Sequence, residues 1–196
     1  MTMHIPAPSD EAMARLRTDL AERAAQRGLL DVAYAAVDSP VGPLTISATD
    51  RGVVRIAYDN ERLEDVLDEL AAKVSPRILH APARLDRARR ELDEYFAGRR
   101  TAFDLPLDWV LTRGFRREVL KAAARIPYAG TSTYHEIAAA AGSPRAFRAA
   151  GTALATNPIP IIVPCHRVLP ASGAIGGYRG GSTRKQQLLH LESGQV

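Results

Sequence analysis

The chain has 196 residues, of which 46% are hydrophobic and 24% are charged, and this composition predicts one globular domain or two small ones. It excludes a disordered chain, a collagen-like repeat and a coiled-coil rod. No apolar run approaches the roughly 18–20 residues of a membrane span, and the first residues lack the pattern of a secretory signal. Cys165 is the single cysteine, so an intramolecular disulfide and a cysteine-rich zinc site are both excluded. We expect a soluble, cytoplasmic protein that is not attached to a membrane.

The net charge of +4 is distributed unequally along the chain. Residues 1–110 hold 15 Lys and Arg against 19 Asp and Glu, a net charge of −4, whereas residues 111–196 hold 11 against 3, a net charge of +8. A strongly basic half favours the binding of a polyanion. A basic surface that only aids solubility explains the same charge equally well.

Hydrophobic spacing and turn residues predict one helix, three strands and two further helices in the N-terminal half. The first helix covers residues 9–28, with Ser9 or Asp10 as its cap and Gly28 at its end. We expect it to be a docked extension, residues 1–31, without a chemical role. The predicted strands cover 32–37, 43–48 and 52–58, and the helices cover 63–74 and 83–96. Residues 32–108 are therefore predicted to form an α+β domain.

From residue 109 onward the pattern changes to short helices separated by Gly and Pro residues. Helices are predicted over 115–125, 133–141 and 145–155, and the last two, joined by the turn 142–144, are typical of a helix-turn-helix. The second of them is built almost entirely of small residues, AFRAAGTALA. Such a helix can approach a sugar-phosphate groove closely but lacks side chains that read base edges; close packing against another helix is the alternative. Residues 109–196 are predicted to form a mostly helical domain.

The single cysteine stands in an unusual local sequence. Cys165 lies between Pro164 and His166, directly after the apolar run 159–163 and before Arg167. A reactive cysteine needs a neighbouring cation, helix N-terminus or base that lowers its pKa, and His166 and Arg167 bring such groups next to it. A lone cysteine after an apolar run is by default a buried, inert thiol. The string favours a reactive cysteine, although spacing alone does not exclude the inert one.

The segment around Cys165 resembles the active-site region of the O6-alkylguanine-DNA alkyltransferases, also called methylated-DNA–protein-cysteine methyltransferases. The specific part of the resemblance consists of Asn157-Pro158, Pro164-Cys165-His166-Arg167-Val168, Gly173, Gly177-Tyr178-Arg179-Gly180-Gly181, Lys185, Leu188-Leu189 and Glu192. A weaker likeness extends upstream to residue 32 through Ile126-Pro127-Tyr128, Tyr134, Gly142-Ser143-Pro144, Arg148, Tyr95-Phe96-Ala97-Gly98 and the turn 38–44.

The resemblance implies DNA repair by a protein that reacts once. A damaged guanine is flipped out of the duplex, because its reacting carbon is inaccessible inside the base stack, and its O6-alkyl group moves onto a cysteine by SN2 displacement. The implied fold is α+β, with a small N-terminal sheet and a helical, winged-helix-like DNA-binding domain. The implied partner is double-stranded DNA containing O6-alkylguanine, bound through the minor groove by a monomer, with O4-alkylthymine as a further substrate. No cofactor and no metal is implied, and the thioether product is not reducible like a disulfide.

The same resemblance implies a role for each catalytic residue. Cys165 is the nucleophile, and His166 takes its proton through a water held by Glu192. Tyr134 donates a proton to the guanine ring as negative charge develops there, and Lys185 supports the cysteine loop or the proton transfer. Read without the resemblance, these partners of Cys165 are an ordinary helix-terminal acid, a core tyrosine and a solvated lysine.

Contacts with the DNA or the substrate are implied for six further residues: Arg148, Asn157, Pro160, Val168, Tyr178 and Arg179. Among these, Asn157 ties the small-residue helix to the cysteine loop, and Tyr178 lines the pocket. Arg148 fills the gap left by the flipped base as a wedge, or else contacts a phosphate.

Three positions differ from the family pattern. Leu120 stands where a Trp is common, Ala129-Gly130 where a Gly commonly precedes the Thr region, and Ala150-Gly151 where Val-Gly is frequent. These are packing positions, so we expect them to alter loop detail and not the reaction. The zinc site of Cys and His that some members carry in the N-terminal half cannot form here, because Cys165 is the only cysteine.

Two other classes of function compete with this reading. A non-repairing relative would recognise alkylguanine and recruit partners, but such relatives have lost the cysteine that is intact here. A Cys-His hydrolase is disfavoured because its histidine is usually distant in sequence from the cysteine and because it would not need a half with a net charge of +8.

Overall fold

The structure, a computed structural model, describes residues 9–194. The helices are α1 (Asp10–Gln26), α2 (Leu63–Lys73), α3 (Asp86–Phe96), α4 (Gly114–Ala123), α5 (Tyr134–Ala140), α6 (Phe147–Ala155) and α7 (Ser182–Ser193). The strands are β1 (Val32–Val37), β2 (Leu44–Thr49), β3 (Gly52–Tyr58), β4 (Ile78–His80), β5 (Ser132–Thr133) and β6 (Val168–Leu169). Short 3₁₀ helices cover Pro82–Leu85, Trp109–Leu111 and Cys165–Arg167. Across residues 9–194, none of the helices has the length and apolar character needed to span a bilayer.

A four-stranded sheet in the order β3-β2-β1-β4 forms the centre of the N-terminal half. β1, β2 and β3 are antiparallel neighbours, as the hairpin turns in the sequence predicted, and β4 lies parallel to β1. The strands predicted from alternation are confirmed to within one residue. β4 and the β5–β6 pair were not predicted, because strands of two or three residues are too short to show alternation.

The first helix is confirmed, with Ser9 as its N-cap, and its larger apolar side chains do not form its buried face. Leu16 and Leu20 are 57% and 56% exposed, whereas Ala21 and Ala24 are buried. α1 therefore docks through small residues near its C-terminal end, where it meets β4.

The free edge of β3 is covered by two segments of the chain. The Val53 N–H donates to the Pro106 carbonyl at 2.9 Å, and the Ile56 N–H donates to the Pro158 carbonyl at 2.8 Å. Every residue of β3 is buried as a result. The second of these bonds joins the sheet directly to the segment that leads into Cys165.

The predicted helix-turn-helix is present as α5, the turn 141–146 and α6, packed on α4. Thr133 caps α5 and forms a capping box with Glu136. No element was predicted for residues 182–193, which form α7. Two of its three buried residues are charged, Lys185 and Glu192, so the helix lacks the apolar stripe on which periodicity arguments depend.

Gly52 tests how tightly the β3 edge is held. Its φ is +133°, and a Cβ at this position would lie 2.1 Å from the Pro106 carbonyl oxygen. We expect Gly52→Ala to lower the free energy of unfolding by about 3 kcal/mol or more, because backbone strain and overpacking add. Gly98→Ala, at φ +68° with open space around it, should cost about 1 kcal/mol. Equal losses for the two variants in urea unfolding would contradict a tightly packed edge.

Candidate active site around Cys165

Cys165 opens a 3₁₀ turn at the end of a buried, apolar run, and its side chain is 5% exposed. The Cys165 N–H donates to the Val163 carbonyl at 2.8 Å. Two residues earlier than Val163, Ile161 has a φ of +74°, a left-handed conformation that is rare for a β-branched residue. Since Ile161 is fully buried, the surrounding core holds this strained loop in place.

The thiol has one direct hydrogen-bond partner among the described side chains. Asn157 Nδ2 lies 3.1 Å from Cys165 Sγ and 2.9 Å from the Val163 carbonyl oxygen. Burial raises the pKa of Cys165 to about 11, although the Asn157 hydrogen bond and the charge of Lys185 act in the opposite direction. The thiol therefore holds its proton at neutral pH, and a base must remove that proton before the sulfur can act as a nucleophile.

His166 has the properties of that base. Its Nε2 lies 2.8 Å from Glu192 Oε1, and its ring is fully buried. An ionised carboxylate only accepts hydrogen bonds, so Nε2 carries the proton and Nδ1 presents its lone pair in the neutral ring. Burial lowers the pKa of His166, with the charges of Arg167 and Lys185 acting in the same direction and Glu192 in the opposite one, and the net lowering keeps the ring neutral at neutral pH. Nδ1 is buried and has no hydrogen-bond partner within residues 9–194.

Glu192 organises this group of side chains. Its two oxygens accept from Nε and Nη2 of Arg167, both at 2.8 Å, and Oε1 also accepts from the Tyr95 hydroxyl at 2.7 Å. Burial by itself would raise the pKa of Glu192, but the hydrogen bonds from His166 and Arg167 outweigh it and lower the pKa to about 2. Glu192 contacts the imidazole directly, so its role toward His166 is to orient and polarise the ring.

Arg167 and Tyr95 were not among the predicted site residues. Arg167 was quoted in the Pro-Cys-His-Arg string, and its place next to His166 was a usable signal. Tyr95 lies 97 residues before Glu192 in the chain, and nothing in the local sequence relates the two.

Lys185 is fully buried, and its Nζ donates to the Val168 carbonyl at 2.7 Å. Burial lowers the pKa of Lys185, with Cys165 acting in the opposite direction. Lys185 thus holds the strand that follows the cysteine turn. The side chains of Val168 and Pro160 are enclosed in the protein interior, and neither lines the cavity beside Cys165.

A cavity of about 320 Å³ reaches Cys165, a size suited to a small planar ligand. Small residues of α6 form one side of it, and the loop before α7 forms another. Its lining consists of Tyr134, Gly151, Leu154, Ala155, Cys165, Gly177, Tyr178 and Arg179. The small residues of α6 therefore leave open space above the thiol, in addition to allowing the close packing of α6 on α4 and α5.

The two tyrosines of the cavity keep their protons. Burial raises the pKa of Tyr134, and the neighbouring Cys165 raises it further. Burial also raises the pKa of Tyr178, whose hydroxyl lies 2.6 Å from that of Tyr58. Tyr134 is half-buried, so its hydroxyl can donate to a ligand in the cavity.

Arg148 lies outside this group, exposed near the start of α6. Its guanidinium carbon is 5.6 Å from the centre of the Phe147 ring, and it forms no ion pair within the described part of the chain. It borders a second cavity of about 300 Å³, which shares Tyr134 and Gly151 with the first.

The three departures from the family pattern have different structural consequences. Leu120 and Ala150 are fully buried packing residues. Ala129 adopts a φ of +58°, the region that favours glycine, and its N–H lies 3.3 Å from Glu192 Oε2. Ala129 therefore touches the catalytic network through its backbone.

The cluster is suited to nucleophilic chemistry. A buried thiol is followed in the chain by a neutral imidazole, which is hydrogen-bonded to an ionised carboxylate, and a tyrosine lines the same cavity as the thiol. In residues 9–194, no three side chains of His, Cys, Asp or Glu come together in a group that could hold a metal.

Comparison with known proteins assigns the family. Two family models match, 6-O-methylguanine DNA methyltransferase, ribonuclease-like domain, over residues 32–109, and 6-O-methylguanine DNA methyltransferase, DNA binding domain, over residues 114–194. A methylated-DNA–protein-cysteine methyltransferase of Mycobacterium tuberculosis is 42% identical over 165 residues, which is 83% of this chain and 93% of the relative. The constitutive enzyme of Bacillus subtilis is 38% identical over 81% of this chain and 94% of its own length. The chain belongs to the methylated-DNA–protein-cysteine methyltransferase family.

Solved structures of this family share the fold. The crystal structure of Mycobacterium tuberculosis O6-methylguanine methyltransferase superposes with a TM-score of 0.72 at 40% identity, covering 84% of this chain and 94% of that one. The structure of Mycobacterium tuberculosis OGT in complex with DNA gives a TM-score of 0.71 at 39% identity with the same coverage. The predicted fold class, a small N-terminal sheet and a helical C-terminal DNA-binding domain, is confirmed.

The ionised state of Glu192 predicts a pH dependence of stability. Because its folded pKa of about 2 lies below the ordinary value of 4.5, its contribution is complete above about pH 4.5 and is lost as the pH falls toward 2. We expect the free energy of unfolding to fall by about 3 kcal/mol over this interval through this group, and Glu192→Gln to abolish that part of the slope. Urea unfolding at several pH values measures it.

The matched control is Glu118→Gln, which changes an exposed carboxylate paired with Lys121 on α4. It should leave the slope unchanged. A Glu192→Gln protein with the wild-type slope would show that Glu192 is not the acid-labile group.

Proposed function

We propose that the protein repairs DNA by moving the alkyl group of O6-alkylguanine irreversibly onto Sγ of Cys165. The observation that carries the proposal is the sole thiol of the chain, which lines a cavity, while the next residue, His166, is hydrogen-bonded to the ionised carboxylate of Glu192. Alkyl transfer needs such an arrangement, since the thiol must become a thiolate only while the substrate is bound.

The proposed reaction balances on the groups of the site. His166 Nδ1, directly or through one water, takes the proton of Cys165, and Glu192 stabilises the imidazolium that forms. The thiolate attacks the alkyl carbon, the bond from that carbon to O6 breaks, and its electron pair stays with the guanine. Tyr134 donates a hydrogen bond to the ring as this charge develops. The guanine anion finally takes up the proton that His166 accepted, so the net change is that the alkyl group moves to sulfur and the thiol proton to guanine. The carbon–sulfur bond has no route of reversal in the site, so each molecule reacts once.

Asn157 and Lys185 prepare the nucleophile in this proposal. Asn157 holds the thiol and the Val163 carbonyl together, and Lys185 fixes the strand after the cysteine turn. Tyr178 and Arg179 form the wall opposite α6, where the flipped base would lie.

For DNA, we propose minor-groove binding by α6 of a monomer that acts in the cytoplasm, with O4-alkylthymine as a further substrate. The net charge of +8 on residues 111–196 supplies the attraction to phosphates, and the small exposed residues of α6 allow a close approach. Arg148 projects from the start of this helix and fills the gap that the flipped base leaves. Residues 32–108 and 109–196 are the two domains of this proposal, and residues 1–31 are an extension.

The first test is the fate of Cys165. After incubation with duplex DNA containing O6-methylguanine, mass spectrometry should find a single added methyl group on the Cys165 peptide. Product should rise to the protein concentration and stop. Cys165→Ala should lose all transfer while it retains nearly full DNA affinity, because binding depends on the basic half. Transfer by Cys165→Ala, or turnover beyond one equivalent as in a Cys-His hydrolase, would refute the proposal.

The proposed wedge role of Arg148 predicts that its loss affects duplex DNA and a free base to different extents. Arg148→Ala should slow repair of a duplex far more than reaction with free O6-benzylguanine, because a free base needs no extrusion, whereas unstacking a duplex base costs a few kcal/mol. The change in the salt slope of DNA binding should not exceed about one unit. Single-turnover rates with both substrates measure the contrast.

Arg145→Ala is the control for Arg148→Ala, because Arg145 is also exposed and lies in the turn before α6. It removes the same charge and should affect the duplex only through binding. Equal slowing of both substrates by Arg148→Ala would instead assign Arg148 to the pocket or the fold.

A further inference from the structure

Four consecutive residues, 58–61, lie at the end of β3 and just after it, and each contacts the C-terminal half. Three of them contact the segment that forms the far wall of the cavity, and Asp59 contacts Arg184 at the start of α7. The Tyr58 hydroxyl lies 2.6 Å from that of Tyr178, and Asn60 Nδ2 donates to the Arg179 carbonyl at 3.1 Å. The other two contacts are ion pairs at 2.5 Å, from Arg184 to Asp59 and from Arg179 to Glu61. We call residues 58–61 the clasp. It belongs to the N-terminal half, whereas the wall belongs to the C-terminal half.

The ionic part of the clasp is held rigid from behind. Arg55 is 1% exposed and lies on β3, and its Nη2 donates to Glu61 Oε2 at 2.5 Å. The same oxygen accepts from Arg179. A buried arginine thus fixes the carboxylate that receives Arg179, and Glu61 remains ionised because its two arginine partners lower its pKa against the effect of burial.

The contact is also tight sterically. A Cβ on Gly180 would lie 2.8 Å from the Tyr58 ring, so the wall segment lies directly against this side chain. Residues 170–181 form neither helix nor strand and contain Gly173, Gly176, Gly177, Gly180 and Gly181. A glycine-rich segment has little conformational preference of its own, and its position must come from what it touches.

We propose that Tyr58 and Glu61 are positioning residues for alkyl transfer, which act by holding Tyr178 and Arg179 in the wall of the Cys165 cavity. This inference rests on the proposed function and extends it, since it makes the N-terminal half a part of the site. Neither residue lines the cavity. Their effect is geometric, because displacement of a pocket wall by about 1 Å can reduce a rate by up to about a hundredfold.

A double-mutant cycle on the hydroxyl pair tests the proposal. Tyr58→Phe removes one buried oxygen with little change of shape and should lower the single-turnover rate about fivefold, the value of one hydrogen bond. The loss should be equal for free O6-benzylguanine and for duplex DNA, because the wall serves both. In a Tyr178→Phe background, Tyr58→Phe should have no further effect. If Tyr58 acted only on the fold, the two losses would multiply.

Glu61→Gln tests the ionic contact, and Tyr34→Phe on β1 is the control for the loss of a tyrosine hydroxyl from the same sheet. Hydrogen exchange of the amides of residues 176–181 gives a readout that does not depend on activity. Tyr58→Phe and Glu61→Gln should speed this exchange, and Tyr34→Phe should leave both exchange and rate unchanged. Unchanged hydrogen exchange in Tyr58→Phe and Glu61→Gln would overturn the proposal that the clasp positions the wall. Absence of Cys165 alkylation in the wild-type protein would overturn the proposed function. The hydrogen-exchange data would still show whether the clasp positions the wall.

Discussion

The carboxylate of Glu192 is the interaction on which the rest of the site depends. It is buried at the end of α7, yet it stays ionised because Arg167, His166 and Tyr95 all donate to it. A buried charge of this kind is tolerated only when it is fully paired. The pairing fixes the tautomer of His166, directs its free nitrogen away from Glu192 and joins α3, the cysteine turn and α7. The same carboxylate therefore orients the imidazole of His166 and holds these elements together.

The environment of Cys165 controls the protonation state of its thiol. Burial raises the pKa of Cys165, so the free protein holds a protonated sulfur, which is a weaker nucleophile than a thiolate. Asn157 lies at the junction, since it holds the thiol on one side while the next residue, Pro158, accepts a hydrogen bond from β3. The nucleophile is therefore connected to the N-terminal sheet through two residues.

The N-terminal half gains a role from these contacts. β3 lies at the sheet edge, and an edge strand normally requires protection. Here the protection comes from residues 106–108 and from Pro158, and the chain that leaves β3 then contacts the wall opposite α6. Burial of this edge and construction of the cavity are parts of the same packing arrangement.

Much of the local structure followed from the sequence. Turn residues and periodicity predicted β1 to β3, α1 to α6 and the helix-turn-helix, because these elements depend on contacts between near neighbours in the chain. The Cys165 string and its flanking residues indicated the family and its nucleophile without any coordinates. α7 was missed because its buried face carries Lys185 and Glu192 in place of apolar residues, and a charged buried position is stable only with partners that are distant in sequence.

Only the tertiary structure decided the protonation states of these groups and the side chains that they contact. The sequence determined that Cys165 is followed by a histidine and an arginine, but not that the thiol is protonated, that Glu192 contacts the imidazole directly, or that Tyr95 completes the network from α3. It named Pro160 and Val168 as substrate contacts, and only the fold showed that both side chains are buried. It gave no sign that Tyr58 and Glu61 contact the cavity wall. Burial and long-range hydrogen bonds set pKa values and orient side chains, and both arise only when segments that are separated in the sequence pack together, as Tyr95 and Glu192 do across 97 residues.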